Sequence, residues 1–226
     1  MSVLEKLSGG LVVSCQPVDD GPMDNPQITM AMALAAEAGG ANGLRIEGLD
    51  NLAATRAKTS LPIIGIIKRD LTDSPVRITP FIEDVHGLAS GGADIIAYDA
   101  TQRQRPVPTA ELVRAIQDAG RIAMADCATI HDAQRALAEG AHIIGTTLSG
   151  YAYEPVATDD GPDFPLLGAF RNLGGFVMAE GRFNAPHLAH EAILAGADCV
   201  TVGSAITRIE HITSWFADAV MNARAS

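Results

Sequence analysis

One short phrase, repeated four times, constrains this chain more than any other feature. Ala-Glu-Ala-Gly-Gly-Ala-Asn-Gly (36–43), Ala-Ser-Gly-Gly-Ala-Asp (89–94), Ala-Glu-Gly-Ala-His (138–142) and Leu-Ala-Gly-Ala-Asp (194–198) each place glycine between an Ala/Leu-rich segment and a β-branched apolar run. Glycine ends helices because it tolerates the left-handed backbone that releases the chain from the last turn, so the phrase reads as helix, turn, buried strand. Eight apolar runs carry this rhythm: 11–15, 43–47, 62–67, 94–98, 121–125, 142–146, 175–179 and 199–202. They recur at about 27 residues, room for one strand, one helix and two loops. Eight such units with no Pro/Ser-rich linker predict a single-domain α/β fold over residues 1–226, a closed (β/α)8 barrel, with a five- or six-stranded doubly wound sheet as the alternative.

Composition narrows the partners. The sequence is 47% hydrophobic, which excludes disorder, and 16 Lys+Arg against 27 Asp+Glu give a net charge of −11. Such a surface repels phosphodiester backbones, so no nucleic-acid partner is expected, and an anionic ligand needs a local cluster of cationic side chains and backbone amides. No membrane span is expected, since no apolar run approaches about 18 residues. Cys15, Cys127 and Cys199 lie far apart without a C-x-x-C pair, which points away from zinc knuckles and disulfides and toward the cytoplasm.

In a barrel of this kind the chemistry sits where strands end and the following loops begin. The strand ends here read Ser14-Cys15-Gln16, Arg45-Ile46-Glu47, Lys68-Arg69-Asp70, Asp99-Ala100-Thr101, Asp126-Cys127, Thr146-Thr147, Glu180-Gly181-Arg182 and Gly203-Ser204. Lys68 follows five apolar or glycine residues and lies near Arg45 of the adjacent strand; desolvation and like charge both lower a lysine pKa and suit it to proton transfer, while a snorkelling lysine is the bland reading. Glu180 ends another buried run, and an ion pair with Arg182 or Arg208 is its ordinary explanation. Gly181, Gly203 and Ser204 stand where many barrels hold a phosphate on backbone amides, with Arg208 one turn further on, although Ser204 as a helix cap explains the same pattern. The segment from Leu148 to Asp163, with Gly150, Pro155, Gly161 and Pro162, is the expected substrate loop. His86, His131, His187, His190 and His211 fall in helices or loops and His142 opens a strand, so no metal site is expected. Dinucleotide, Walker and nucleophile-elbow motifs are missing from the sequence.

Seven strand-end segments in order resemble the N-acetylmannosamine-6-phosphate 2-epimerase family: Leu11 to Gln16, Pro62 to Asp70, Asp99-Ala100-Thr101, Met124-Ala125-Asp126, Ile144 to Tyr151, Ala179 to Arg182 and Val202 to Arg208. The resemblance implies a cofactor-independent isomerase of sialic acid catabolism. Such an enzyme interconverts N-acetyl-D-mannosamine 6-phosphate and N-acetyl-D-glucosamine 6-phosphate. By position it makes Lys68 and Glu180 the catalytic pair, Gln16, Arg45, Asp126 and Arg182 substrate contacts, and Gly181, Gly203, Ser204 and Arg208 the phosphate site. Two positions depart from the pattern and bear on the acetamido pocket: Tyr98 replaces a leucine before Asp-Ala-Thr, and Cys127-Ala128 replace an Ile-Ser pair. One-base transfer by Lys68 and two-base transfer by Lys68 and Glu180 both satisfy the chemistry, with Arg45 and Arg182 expected to keep Glu180 ionised. A lyase or aldolase with Lys68 as Schiff-base lysine, and a non-catalytic sugar-phosphate sensor, are the alternative functions. Ile212, Trp215 and Phe216 offer a surface for a homodimer.

Overall fold

A computed structural model describes residues 1–153 and 161–225. Eight parallel strands close on themselves in chain order, β1 (Gly10–Cys15), β2 (Gly43–Glu47), β3 (Ile63–Ile66), β4 (Ile95–Asp99), β5 (Ile122–Asp126), β6 (Ile143–Gly145), β7 (Phe176–Glu180) and β8 (Cys199–Val202), with β8 pairing β1 to shut the barrel. The expected runs all become strands: two keep their bounds, the first gains a residue, three move on by one, and the third and sixth are trimmed. The third is trimmed at both ends, because Pro62 has no N–H to give the ladder and Ile67 bonds Thr79 of the following loop instead of β4.

Among the described residues the outer helices are α2 (Pro26–Ala38), α3 (Leu49–Arg56), α4 (Ile82–Ser90), α5 (Thr109–Asp118), α6 (Ile130–Ala138), α7 (Phe164–Arg171) and α8 (Pro186–Leu194). A short α1 (Val3–Leu7) precedes the barrel, and α9 (Ser204–Thr207) and α10 (Ile209–Ala225) follow it. The repeated glycine phrase does what its chemistry suggests: Gly140 and Gly196 both sit at φ 101, between α6 and β6 and between α8 and β8. No helix among the described residues is long and apolar enough to cross a membrane.

Two apolar layers share the strands by alternation. Val12, Ile64, Ile66, Ile95, Ala97, Met124, Ile143, Met178 and Cys199 fill the barrel interior, joined by Leu7 of α1 from below. Their neighbours Val13, Leu44, Ile96, Ala125, Val177 and Val200 pack outward against the helices. The period of two therefore sends Ser14, Arg45, Asp126, Glu180 and Thr201 inward at the C-terminal rim. Tyr98 and Cys127 have the opposite parity. Both are fully buried in the outer layer, so these two departures do not line the pocket.

Candidate active site

Arg45 lies at the centre of the mouth, 1% exposed, and is held by carboxylates from two other strands. Its Nη1 donates to Asp126 Oδ1 and Glu180 Oε2, both at 3.1 Å, and its Nη2 to Asp126 Oδ2 at 2.6 Å. Strand register explains the meeting: Arg45 pairs across to Ser14, Asp126 to Asp99 and Gly145, and Glu180 to Thr201, so inward side chains converge on one level. Burial opposes the charge on Arg45, but the two carboxylates outweigh it and hold the guanidinium firmly protonated.

Glu180 is the less balanced partner. Burial pushes its carboxyl up to about 7, against the pull of Arg45, while the charge on Asp126 pushes the same way and the polar hydroxyls of Thr147 and Thr201 resist. Of the two arginines expected beside this carboxyl, Arg45 pairs with it at 3.1 Å, whereas Arg182 pairs elsewhere. The backbone of Glu180 is clamped by Thr146, whose Oγ1 donates to its carbonyl at 2.8 Å and accepts from its N–H at 3.0 Å.

A cavity opens above Glu180, lined by Ser14, Gln16, Thr147 and Thr201 together with Gly181, Gly203, Ser204 and Arg208. All four expected phosphate contacts therefore line one cavity. The α9 helix starts at Ser204 with Gly203 as its N-cap, and no side chain caps it; the reading of Ser204 as a cap is corrected, and Ser204 lines the cavity. The Gln16 amide donates to Ser14 Oγ at 2.7 Å, and Arg208 Nε donates to the Gln16 carbonyl at 3.0 Å, tying the segment after α9 to the end of β1.

Arg182 also borders the cavity, but its fork is occupied. Nε donates to the Gly161 carbonyl at 2.5 Å, Nη1 to the Ser149 carbonyl at 2.7 Å, and the guanidinium stacks over Tyr151 at 5.3 Å. Gly181 at φ 108 and Arg182 at φ 61 turn the chain out of the strand, which swings the side chain away from Glu180. The arginine expected to contact substrate thus holds both stems of the 148–163 loop, whose Pro155 lies outside the described residues. Asp163 fastens that loop further by accepting from Ser149 Oγ at 2.5 Å.

Lys68 stands at the mouth outside the cavity lining, with Arg45 and Asp126 beneath the floor. Burial lowers its pKa; Glu47 and Asp19 act to raise it, and Arg208 and Arg45 to lower it. The sequence reading names Thr146-Thr147 at a strand end without giving either a role, and it misses Thr201. Thr201 was accessible through its parity with Glu180, whereas nothing local to Thr147 reveals that its hydroxyl donates to Asp126 at 2.7 Å. Among the described residues no cluster of His, Cys, Asp and Glu suited to a metal ion occurs.

The sequence pattern of the N-acetylmannosamine-6-phosphate epimerase family matches residues 29–222. An N-acetylmannosamine-6-phosphate 2-epimerase of Aliivibrio fischeri is 63% identical over 213 residues, 94% of this chain and 90% of that protein. One of Haemophilus influenzae is 56% identical over 222 residues, 98% of this chain and 96% of that protein. The solved structure of the Clostridium perfringens N-acetylmannosamine-6-phosphate 2-epimerase superposes with a TM-score of 0.93 at 38% identity, covering 97% of this chain and 96% of that one.

Proposed function

The chain belongs to the N-acetylmannosamine-6-phosphate epimerase family, and from that premise we propose that it interconverts N-acetyl-D-mannosamine 6-phosphate and N-acetyl-D-glucosamine 6-phosphate by moving the C2 proton at the barrel mouth. Family membership selects this reading over the Schiff-base lyase and the sensor. The reaction belongs to sialic acid catabolism.

One arrangement carries the mechanism: Lys68 after β3 and Glu180 at the end of β7 both stand at the barrel mouth, where burial pushes the lysine down and the carboxyl up, bringing a base and an acid toward neutrality from opposite ends of the scale. In the open-chain sugar C2 lies beside the C1 aldehyde. Neutral Lys68 takes the C2 proton, the C–H electron pair moves into the C1–C2 bond, and the carbonyl pair moves to O1 as an enolate. Return of the proton to the other face of C2 gives the epimer. Protonated Glu180 donates to the ring oxygen as its bond to C1 breaks, the C1 hydroxyl gives its proton to solvent as the C1 carbonyl forms, and Arg45 keeps the Glu180 carboxyl oriented. Gly181, Gly203, Ser204 and Arg208 take the phosphate, supplying the positive field that a chain of charge −11 otherwise lacks. Gln16, just after β1, faces the sugar.

Deuterium tests this directly. Either epimer incubated in D₂O should acquire deuterium at C2, read as loss of the H2 proton signal, and Lys68→Met should slow that exchange by at least about 10²-fold, the lower range for a lost acid–base group. Near-normal exchange in a folded Lys68→Met protein would remove Lys68 from the reaction. If Glu180→Gln still washes label into one epimer without converting it, two bases operate and Glu180 is the second.

The C-terminal face supports a homodimer. Ile209, Phe216, Val220 and Met221 of α10 are each more than half exposed, and within the chain α10 packs chiefly against α9. Apolar hollows flank Ile206: Leu11, Val13, Met32 and Ala36 line one, and Pro186, Ala189, Val202 and Ala205 line the other. There the outer ring would carry its eighth helix. A second copy of the chain supplies matching apolar cover. Light scattering should give twice the chain mass, and Phe216→Glu should halve it.

A further inference from the structure

The ends of β3 and β4 do not pair with each other at the barrel mouth. Their register stops at Gly65 and Ile96, and the segment Arg77–Thr79 fills the gap between them. On its β3 side the wedge runs antiparallel to Lys68, bridging it through Ile78: Thr79 N–H donates to the Ile67 carbonyl at 2.7 Å, and Arg69 N–H to the Arg77 carbonyl at 3.0 Å. On its β4 side the Asp99 N–H donates to the Ile78 carbonyl at 3.1 Å. The residues on either side of Lys68 are thus both bound to the wedge.

Thr79 is where the wedge is fixed. Its hydroxyl donates to the Ala97 carbonyl of β4 at 2.7 Å and accepts from the Ile67 N–H at 3.4 Å, spanning the gap with one side chain. It is fully buried, and its φ is +45°. A β-branched residue seldom adopts that conformation, and the residue before a proline, here Pro80, is biased toward extended backbone as well. A backbone held against two local preferences persists only where its surroundings impose it, and such residues gather at functional sites.

We propose that Thr79 is the positioning residue of Lys68: its hydroxyl locks the wedge between β3 and β4 and so holds the lysine side chain at the barrel mouth. The inference rests on Lys68 being the proton-transfer group. The charged groups facing that lysine are Glu47 from β2, Asp19 from the β1–α2 loop, Arg208 after α9 and Arg45 from β2. A lysine released from the clamp gains water and titrates closer to an ordinary lysine.

The test compares Thr79→Val, which removes the hydroxyl and keeps the shape, with Thr79→Ser, which keeps the hydroxyl. Two readouts are taken: steady-state kinetics with the sugar phosphate, and competitive acetylation by acetic anhydride across pH. Mass spectrometry follows acetylation at Lys68, with exposed Lys6 and Lys58 as internal references. Thr79→Val should lower kcat by about 10- to 100-fold with KM within about twofold, the size of loss expected when a reacting group is misplaced. It should also move the Lys68 labelling midpoint to higher pH, and Thr79→Ser should restore both. Should Thr79→Val fail to fold, Thr79→Gly, which accepts a positive φ and lacks the hydroxyl, takes its place with the same expectations. An unchanged labelling midpoint and kcat, or a serine variant as impaired as the valine one, overturns the proposal. Undiminished turnover in Lys68→Met instead overturns the role of Lys68, while the labelling measurement still decides whether Thr79 clamps it.

Discussion

Arg45 and Asp126, 81 residues apart in sequence, form a two-pronged ion pair with no water access at the centre of the barrel mouth, Nη1 to Oδ1 3.1 Å and Nη2 to Oδ2 2.6 Å. A buried pair contributes modestly as a pair, yet removing one member leaves the other charged and unsolvated. Arg45→Met should therefore cost about 3–5 kcal/mol, lowering Tm by about 6–20 °C for a chain of this size. Adding Asp126→Leu should recover part of the loss. Thermal melts by circular dichroism check both, and a single variant melting within a degree of the parent would show that the pair does not hold the mouth together.

Glu180 gives a pH signature without any substrate. Its folded pKa of about 7 lies above the ordinary 4.5, so its contribution to stability is complete below pH 4.5 and is lost as pH rises through 7. Glu180→Gln should match the parent near pH 4.5 and become relatively more stable by pH 8, by up to about 3 kcal/mol. Melts at three or four pH values suffice; a difference constant across that range would place Glu180 in a more hydrated setting than described.

Phosphate recognition predicts selectivity. Calorimetry should find N-acetylmannosamine 6-phosphate bound far more tightly than the unphosphorylated sugar. Arg208→Gln should remove about 2 kcal/mol, roughly 30-fold, from the former only, the scale of a hydrogen bond to a charged group. Equal losses for both sugars would move the phosphate elsewhere.

Arg182 holds loop carbonyls, so its replacement should act through geometry. Lysine keeps the charge and loses the planar fork and the stacking on Tyr151. Arg182→Lys should raise KM about 3- to 10-fold with kcat within about twofold, because the loop stems border the sugar and do not touch the reacting carbon. A large fall in kcat at constant KM would make Arg182 a direct participant.

Much of this was legible because both the barrel and its site obey short periods. The glycine phrase marked where helices end, and the alternation of two along β2, β5 and β7 sends Arg45, Asp126 and Glu180 inward, though their mutual ion pairing depends on closure of the ring. Where the chain leaves those periods, legibility stops. Arg182, two residues from Glu180, would share its face in a continuing strand, but the positive φ at Gly181 and Arg182 breaks that relation. Thr79-Pro80 reads as extended backbone, and only the gap between β3 and β4 forces it otherwise. Tyr98 and Cys127 looked relevant by their nearness in sequence to Asp99 and Asp126, and a parity count would have sent them outward.

The seam between β8 and β1 closes the order in which this molecule can acquire activity. Arg45 comes from the second strand and Glu180 from the seventh, and the cavity wall is completed by Gly203 and Ser204 beyond the eighth. An open sheet retains every strand-to-strand ladder except one, yet it cannot bring those residues to one place. During refolding from denaturant, ellipticity should therefore return ahead of turnover. The lag between them measures ring closure, the long-range step whose loop-closure entropy spans almost the whole chain.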